Sequence, residues 1–504
     1  MMTALRAAIL AALLFPAALA AQDVTITARD GALEIVGTMR GYDGEVYRVE
    51  TEFGLLTVDA QGVVCAGPGC PDLTAFVAEA EVAGAASIGQ GLFQTLVAGF
   101  AEDHGLALSL ARDAAGDVTQ TLSDTGPAGA RVLVRLHHRP GTSDAGLAAL
   151  DAGQADLALA RRVVAGNPRG RVLALDALVP LVARGNPARG IALPDLGGVL
   201  TGAVTEWGPL GGDAGVPLRL HLFAADTGLL ARLFDLVAPG HTPALPAGAV
   251  AHASAADLAD AVARDPDALG VGLYSAMGSA RPLPLTGDCG IAVVATPHAL
   301  KTGDYPLGAP LLVYTPPRRL PRVLRDLVGW VSTPAAQRAV RRAGVIDLGA
   351  VETAISGQGA RLANAVAVAE GAEGLAELQR MAALMAATRR LSITFRFDDG
   401  SATLGAQSRG NLDDLARALE AGTYAGREVI LVGFSDGTGP AGPNRALALR
   451  RAEAVAAALR AAVRLPSDAL PRIVAESFGE AMPLACDDTA LGRLVNRRVE
   501  VWLR

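Results

Sequence analysis

Residues 432–455 read VGFSDGTGPAGPNRALALRRAEAV. An apolar run ends at Phe434, Asp436 follows, and a turn rich in Gly and Pro leads into an Ala/Leu/Arg run with helical composition. Arg451 lies inside that run. A carboxylate can accept from an ammonium, and a planar guanidinium can grip a carboxylate through two parallel bonds. Fixed at a strand exit and on a helix, such a pair could clamp a zwitterion from two sides. Taken alone, the same two residues could also form an exposed ion pair worth little.

Other chemistry is sparse. There is no G-x-S-x-G elbow, no H-E-x-x-H and no P-loop lysine, and the carboxylates show no spacing that singles out an acid/base pair. No catalytic residue, no enzyme activity and no cofactor are expected. Cys65 and Cys70 close the short loop CAGPGC, whose Gly and Pro let it turn back, and are expected to form a disulfide. Cys289 and Cys486 then remain, either bridging two domains or both free and buried. The adjacent His137 and His138 have no third ligand in reach, so no metal site is expected.

The 504 residues exceed one ordinary core. Hydrophobic residues make up 51% and charged residues 19%, as in soluble globular proteins. A net charge of -7 without a basic run gives no reason to expect nucleic acid. Lys301 is the only lysine. Residues 1–20 read as a signal peptide: Arg6, the apolar run AAILAALLFPAALA, and a small-x-small site at Ala18-Leu19-Ala20. The mature chain is expected to start at Ala21 without a lipid anchor. No later segment offers a transmembrane span. A soluble exported protein, periplasmic in a bacterium, follows as the expectation.

The elements divide the chain further. Residues 21–78 carry short alternating runs (VTITA, ALEIVGTM, EVYRVET, GLLTVDA) and are expected to form a small β module that includes the disulfide loop. Over 79–350, Ala/Leu helices alternate with apolar strands such as RVLVRL, ADLALA, LVPLVA and LLVYT, which predicts a two-lobed α/β domain. Residues 351–388 form an Ala-rich helical connector, either packed on a domain or a spacer. Residues 389–504 read as a βα unit, with strands LSITFRF, REVILVGF and RRVEVWL and helices NLDDLARALEA and ALALRRAEAVAAALRAAV. The fold class expected is multidomain α/β.

In order, FRFDDGSATL, GFSDGTG, the N-x-x-LALRRAEAV run, ESFGEAMP and NRRVEVW resemble the OmpA-like peptidoglycan-binding domain across about 110 residues. That resemblance implies a cell-wall ligand, the zwitterionic diaminopimelate of the peptide stem. It implies that Asp436 accepts from its ammonium and Arg451 grips its carboxylate. Gly437 and Thr438 would bring backbone N–H groups near, Asn444 and Leu447 would support the helix start, and Arg497 and Arg498 match the terminal NRRVE, where bracing is as good a role as contact. Ala448 stands where the family usually has Ser, and Pro440 and Pro443 stiffen the loop.

SIGQGLFQTLVAGFAEDHG, AGQADLALARR, ALDALVPLVARGNP, LGGVLTGAVTEWGPLGG, ALGVGLYS and KTGDYPLGAPLLVYT resemble the phosphate-type periplasmic solute-binding proteins of ABC transporters. The resemblance implies two lobes hinged about a cleft, an anion ligand such as phosphate, and an ABC permease as partner. Ser87, Arg161, Arg162, Asp226 and Thr227 match its anion loops. The chain departs from the family in both loops: AASIGQ is poor in Gly, Ser and Thr, and LFAADTGLLARLF lacks the Arg and the Ser-Gly-Thr run. Two functions remain open: a wall-anchored solute-binding protein, or an envelope scaffold whose solute-binding fold is degenerate and contacts proteins.

Overall fold

The computed structural model describes residues 23–504 apart from 74, 115, 127–128, 165–168, 224–226, 370, 398–403, 405 and 467–468. The expected signal peptide, 1–20, lies outside the described residues. The chain divides into two compact units. One runs to Ala78 and includes Leu320–Asp326; the other holds Glu79–Arg319 and Leu327–Arg504.

In the first unit, five strands form a sheet in the order Gly54–Asp59, Val46–Thr51, Glu34–Tyr42, Val24–Ala28, Val63–Ala66. Alternation sets its faces: Val24 and Ile26 are buried, as are Tyr47 and Val49. So small a core gains from a covalent staple. The Cys65–Cys70 disulfide supplies one at the end of the last strand.

The second unit begins with two α/β lobes. The first lobe has a seven-stranded sheet ordered Gly170–Ala174, Leu311–Tyr314, Leu157–Ala160, Ala78–Ala85, Arg131–Gly141, Val118–Asp124, Ala107–Arg112. Leu157–Ala160 runs parallel to Ala78–Ala85, while 107–141 forms an antiparallel meander. Its outer strand ALSLAR lies almost wholly exposed, so it carries no apolar run by which a sequence would announce it. The second lobe packs a sheet ordered Val250–His252, Arg219–Phe223, Ala268–Leu273, Leu178–Val182, Arg281–Pro282. The chain crosses between the lobes at 174–178 and again before Leu311.

The C-terminal part is a five-stranded sheet: Glu352–Thr353, Arg389–Arg396, Arg498–Leu503, Val429–Phe434, Ile473–Ser477. Strand Val429–Phe434 is buried on both faces. Val429 and Leu431 pack with Leu415, Val455 and Leu459 of the helices Ala406–Glu420 and Ala441–Ala462. Ile430, Val432 and Phe434 face the other way, onto Ala365, Met381 and Met385. Those last residues belong to the helices Gly359–Val368 and Gly371–Ala386. The helical connector therefore closes the second face of this sheet instead of serving as a spacer.

Candidate functional sites

Asp436 stands two residues past the end of its strand, and its carboxylate is fixed from two sides. Oδ2 accepts from Arg497 Nη1 at 3.1 Å, and Oδ1 accepts from the Thr438 backbone N–H at 3.1 Å. Partial burial pushes its pKa up, but the bonds from Arg497 and Thr438 outweigh this and hold it below the usual carboxylate value. Asp436 is therefore an anion at neutral pH. The turn beyond it is tied to a returning loop: Gly437 N–H donates to Asp487 Oδ2 at 2.7 Å. Asn496 pins that loop, accepting from Leu484 N–H at 2.8 Å and donating to Asp487 Oδ1 at 2.9 Å.

The helix Ala441–Ala462 turns Asn444, Ala448, Arg451, Ala452, Val455, Ala456 and Leu459 inward. That spacing is one helical stripe, and it carries Arg451 into the interior with its apolar neighbours. Arg451 is 1% exposed, with its guanidinium carbon 5.5 Å from the Phe397 ring centroid. Asn444 donates to Glu480 Oε2 at 3.1 Å and fixes the first turn. A Cβ on Gly433 would lie 2.1 Å from the Ala448 carbonyl oxygen. The helix thus rides directly on the strand backbone, and the small Ala448 sits at the point of closest approach.

The other sequence-predicted positions sort plainly. Leu447 is partly buried, while Gly437 and Thr438 are exposed on the loop. Arg498 is a brace. It is fully buried, donates to Glu500 at 2.7 Å and to the Met482 carbonyl at 2.9 Å, and stacks 4.1 Å from the Phe434 ring centroid. A guanidinium so occupied cannot reach a ligand without unfolding the strand end. Asp487, Glu480 and Asn496, which hold the loop together, escaped sequence reading because each acts across a chain return.

In the two-lobed part, Ser87 and Arg161 do come together: Arg161 Nε donates to Ser87 Oγ at 3.1 Å. Arg161 is 3% exposed, and its Nη1 lies 3.4 Å from Asp176 Oδ2. Asp176, on the chain crossing, also accepts from Ser275 Oγ at 2.7 Å and Ser275 N–H at 3.0 Å. The guanidinium expected to face an anion thus already has a carboxylate of the same chain. Arg162 is elsewhere, paired with Asp144 at 2.9 Å on the surface. Asp226 and the Thr227 side chain lie outside the described residues. His137 and His138 form no cluster: His137 meets Glu79 at 2.9 Å and Thr119 at 3.2 Å, and His138 is buried.

Strong contacts tie the two-lobed part to the C-terminal part. Cys289 and Cys486 form a disulfide. Arg390 grips Asp304 through two bonds, 2.9 and 3.2 Å, and its Nε lies 3.1 Å from Glu500. Arg361, Arg396 and Arg498 complete this buried group. Burial alone would raise both acids, yet the arginines win. Glu500 is lowered to about 2 and Asp304 lies well below its usual range.

The OmpA family profile matches residues 396–497. The "Probable lipoprotein YiaD" of Escherichia coli strain K12 is 37% identical over 107 residues, 21% of this chain and 46% of that protein. Outer membrane porin F of Pseudomonas fluorescens is 34% identical over 111 residues, 22% of this chain and 32% of the porin. The chain thus spans less than half the length of these curated relatives. A crystal structure of an ABC-type phosphate transport receptor from Vibrio cholerae aligns at a TM-score of 0.42 and 18% identity, over 53% of this chain and 99% of the receptor. Residues 396–497 are an OmpA-like domain carried at the C-terminal end of a longer chain.

Proposed function

We propose that the protein is a periplasmic binding protein held on the cell wall through the diaminopimelate of peptidoglycan. The observation that carries this reading is the arrangement around Asp436 and Arg451. An anionic Asp436 is fixed at a strand exit by Arg497 and Thr438, and Arg451 is set into the interior by the helix beyond the same loop. Asp436 would take the ammonium of the zwitterion and Arg451 its carboxylate, with the Gly437 turn supplying close backbone approach. Calorimetry with a diaminopimelate-containing stem peptide tests it. Saturable binding is expected from the intact chain and none from Asp436→Ala. Equal heats from both would remove the assignment.

A second reading concerns the two-lobed part. Its resemblance favours a small anion such as phosphate and a permease partner. The Arg161–Asp176 pair favours a scaffold role, because a buried anion needs donors and this arginine already faces a carboxylate. Titration of the intact protein with phosphate separates the two. Heat that disappears in Arg161→Met supports solute capture, and the absence of heat at millimolar phosphate supports the scaffold.

A further inference from the structure

Between the lobes and the OmpA-like domain lies a cavity of about 260 Å³. It is well above the ~150 Å³ at which an engineered apolar cavity already accepts benzene. Its walls are mostly apolar, with Leu300 from the second lobe and Phe397 and Leu494 from the OmpA-like domain. Two arginines line it. Arg396 donates to the carbonyls of Thr302 and Gly303 and to Asp304. Arg232 donates through Nε and Nη2 to the Gly308 carbonyl, at 3.0 and 2.8 Å. No bond to Arg232 Nη1 is seen among the described residues. Thr394, also in the wall, has a buried hydroxyl with no hydrogen-bond partner among the described residues.

Among the described residues, the charges around this space do not balance. The buried group beside it sets Arg361, Arg390, Arg396 and Arg498 against the carboxylates of Asp304 and Glu500. Asp176 also lines the cavity but is committed to Arg161 and Ser275. Burial disfavours the charge on Arg232 and Arg396, lowering the latter to about 10, and an added anion would offset that buried positive charge. A bare inorganic anion suits the space poorly, because apolar walls would leave most of its oxygens without donors.

We propose that this interdomain cavity binds a small organic anion with an apolar body, of the medium-chain carboxylate class. The carboxylate meets Arg232 Nη1, the Thr394 hydroxyl adds a donor, and the tail lies against Leu300, Phe397 and Leu494. The site requires both parts of the chain and does not rest on the cell-wall reading, since neither Asp436 nor Arg451 lines the cavity.

The test uses the intact protein with octanoate as the probe, read by calorimetry and thermal shift, with octanol as the uncharged control. Octanoate is expected to bind saturably and to raise the unfolding temperature, with octanol at least about tenfold weaker for lack of the charge-assisted bond. Leu494→Trp, which fills the cavity and leaves every charge in place, is expected to abolish uptake. Arg232→Met is expected to bring octanoate down to the octanol level. No saturable binding at millimolar octanoate, octanol binding as tightly as octanoate, or undiminished binding by Leu494→Trp would each overturn the proposal. Sacculus capture measured on the same variants is expected to be unchanged, so failure here and failure of the wall anchor are told apart.

Discussion

Asp436 is the residue on which the wall-binding account turns, and its surroundings predict a pH profile. Its folded-state pKa lies below the ordinary 3.8 because Arg497 and the Thr438 N–H stabilise the carboxylate more than burial disfavours it. A depressed acid contributes above its unfolded pKa and loses its contribution only as pH falls through the folded value. Sacculus capture should therefore be flat from pH 8 to 5 as far as Asp436 is concerned. A midpoint near pH 6 in a pH series of pull-downs would contradict this. The placement of Asp436 at a strand exit and of Arg451 on the following helix was legible in the sequence, because a strand, a Gly-rich turn and a helix follow one another locally. The burial of Arg498 was not, since NRRVE reads as a polar run. Only the pairing of its strand against Val429–Phe434 turns this side chain inward onto Phe434 and Glu500.

At the scale of elements, helix Ala441–Ala462 rides directly on its strand because Gly433 carries no Cβ. Gly433→Ala would put a methyl 2.1 Å from the Ala448 carbonyl oxygen. Overpacking of this kind costs about 1–3 kcal/mol, and denaturant unfolding of the variant should show a loss of that size. An unchanged midpoint would mean that the helix can lift without cost. The loop 484–488 has a comparable role. It holds Gly437 through Asp487, is pinned by Asn496, and is stapled through Cys486 to Cys289. Gly492 is required there, since a Cβ would lie 1.9 Å from the Cys486 carbonyl oxygen. Replacing Cys289 and Cys486 by Ala should cost about 2–4 kcal/mol, the usual range for a disulfide; loop-closure entropy over the 197 residues it spans sets an upper limit of about 5 kcal/mol. Urea unfolding followed by circular dichroism checks it. The strands and helices of the C-terminal part were readable from period and turn signals. The staple was left open because pairing across so long a separation depends on how domains dock.

For the whole molecule, the buried charge group matters most. Arg361, Arg390, Arg396 and Arg498 come from positions spread over the C-terminal part, and Asp304 comes from the two-lobed part. No local pattern reveals such a group, and removing one member leaves its partners buried and uncompensated. Glu500, lowered to about 2 from 4.5, contributes stability that is complete above the unfolded value and disappears as pH falls toward 2. Thermal melts should hold steady down to about pH 5 and then drop steeply; a gradual decline beginning near neutrality would place the controlling group elsewhere. The same contacts join the OmpA-like domain to the two-lobed fold that precedes it. The measurement that bears most directly on the account is capture of the intact protein by purified sacculi, comparing wild type with Asp436→Ala and Arg451→Ala. Both variants should be lost from the pellet while melting as folded proteins. Undiminished capture of either folded variant would contradict the clamp.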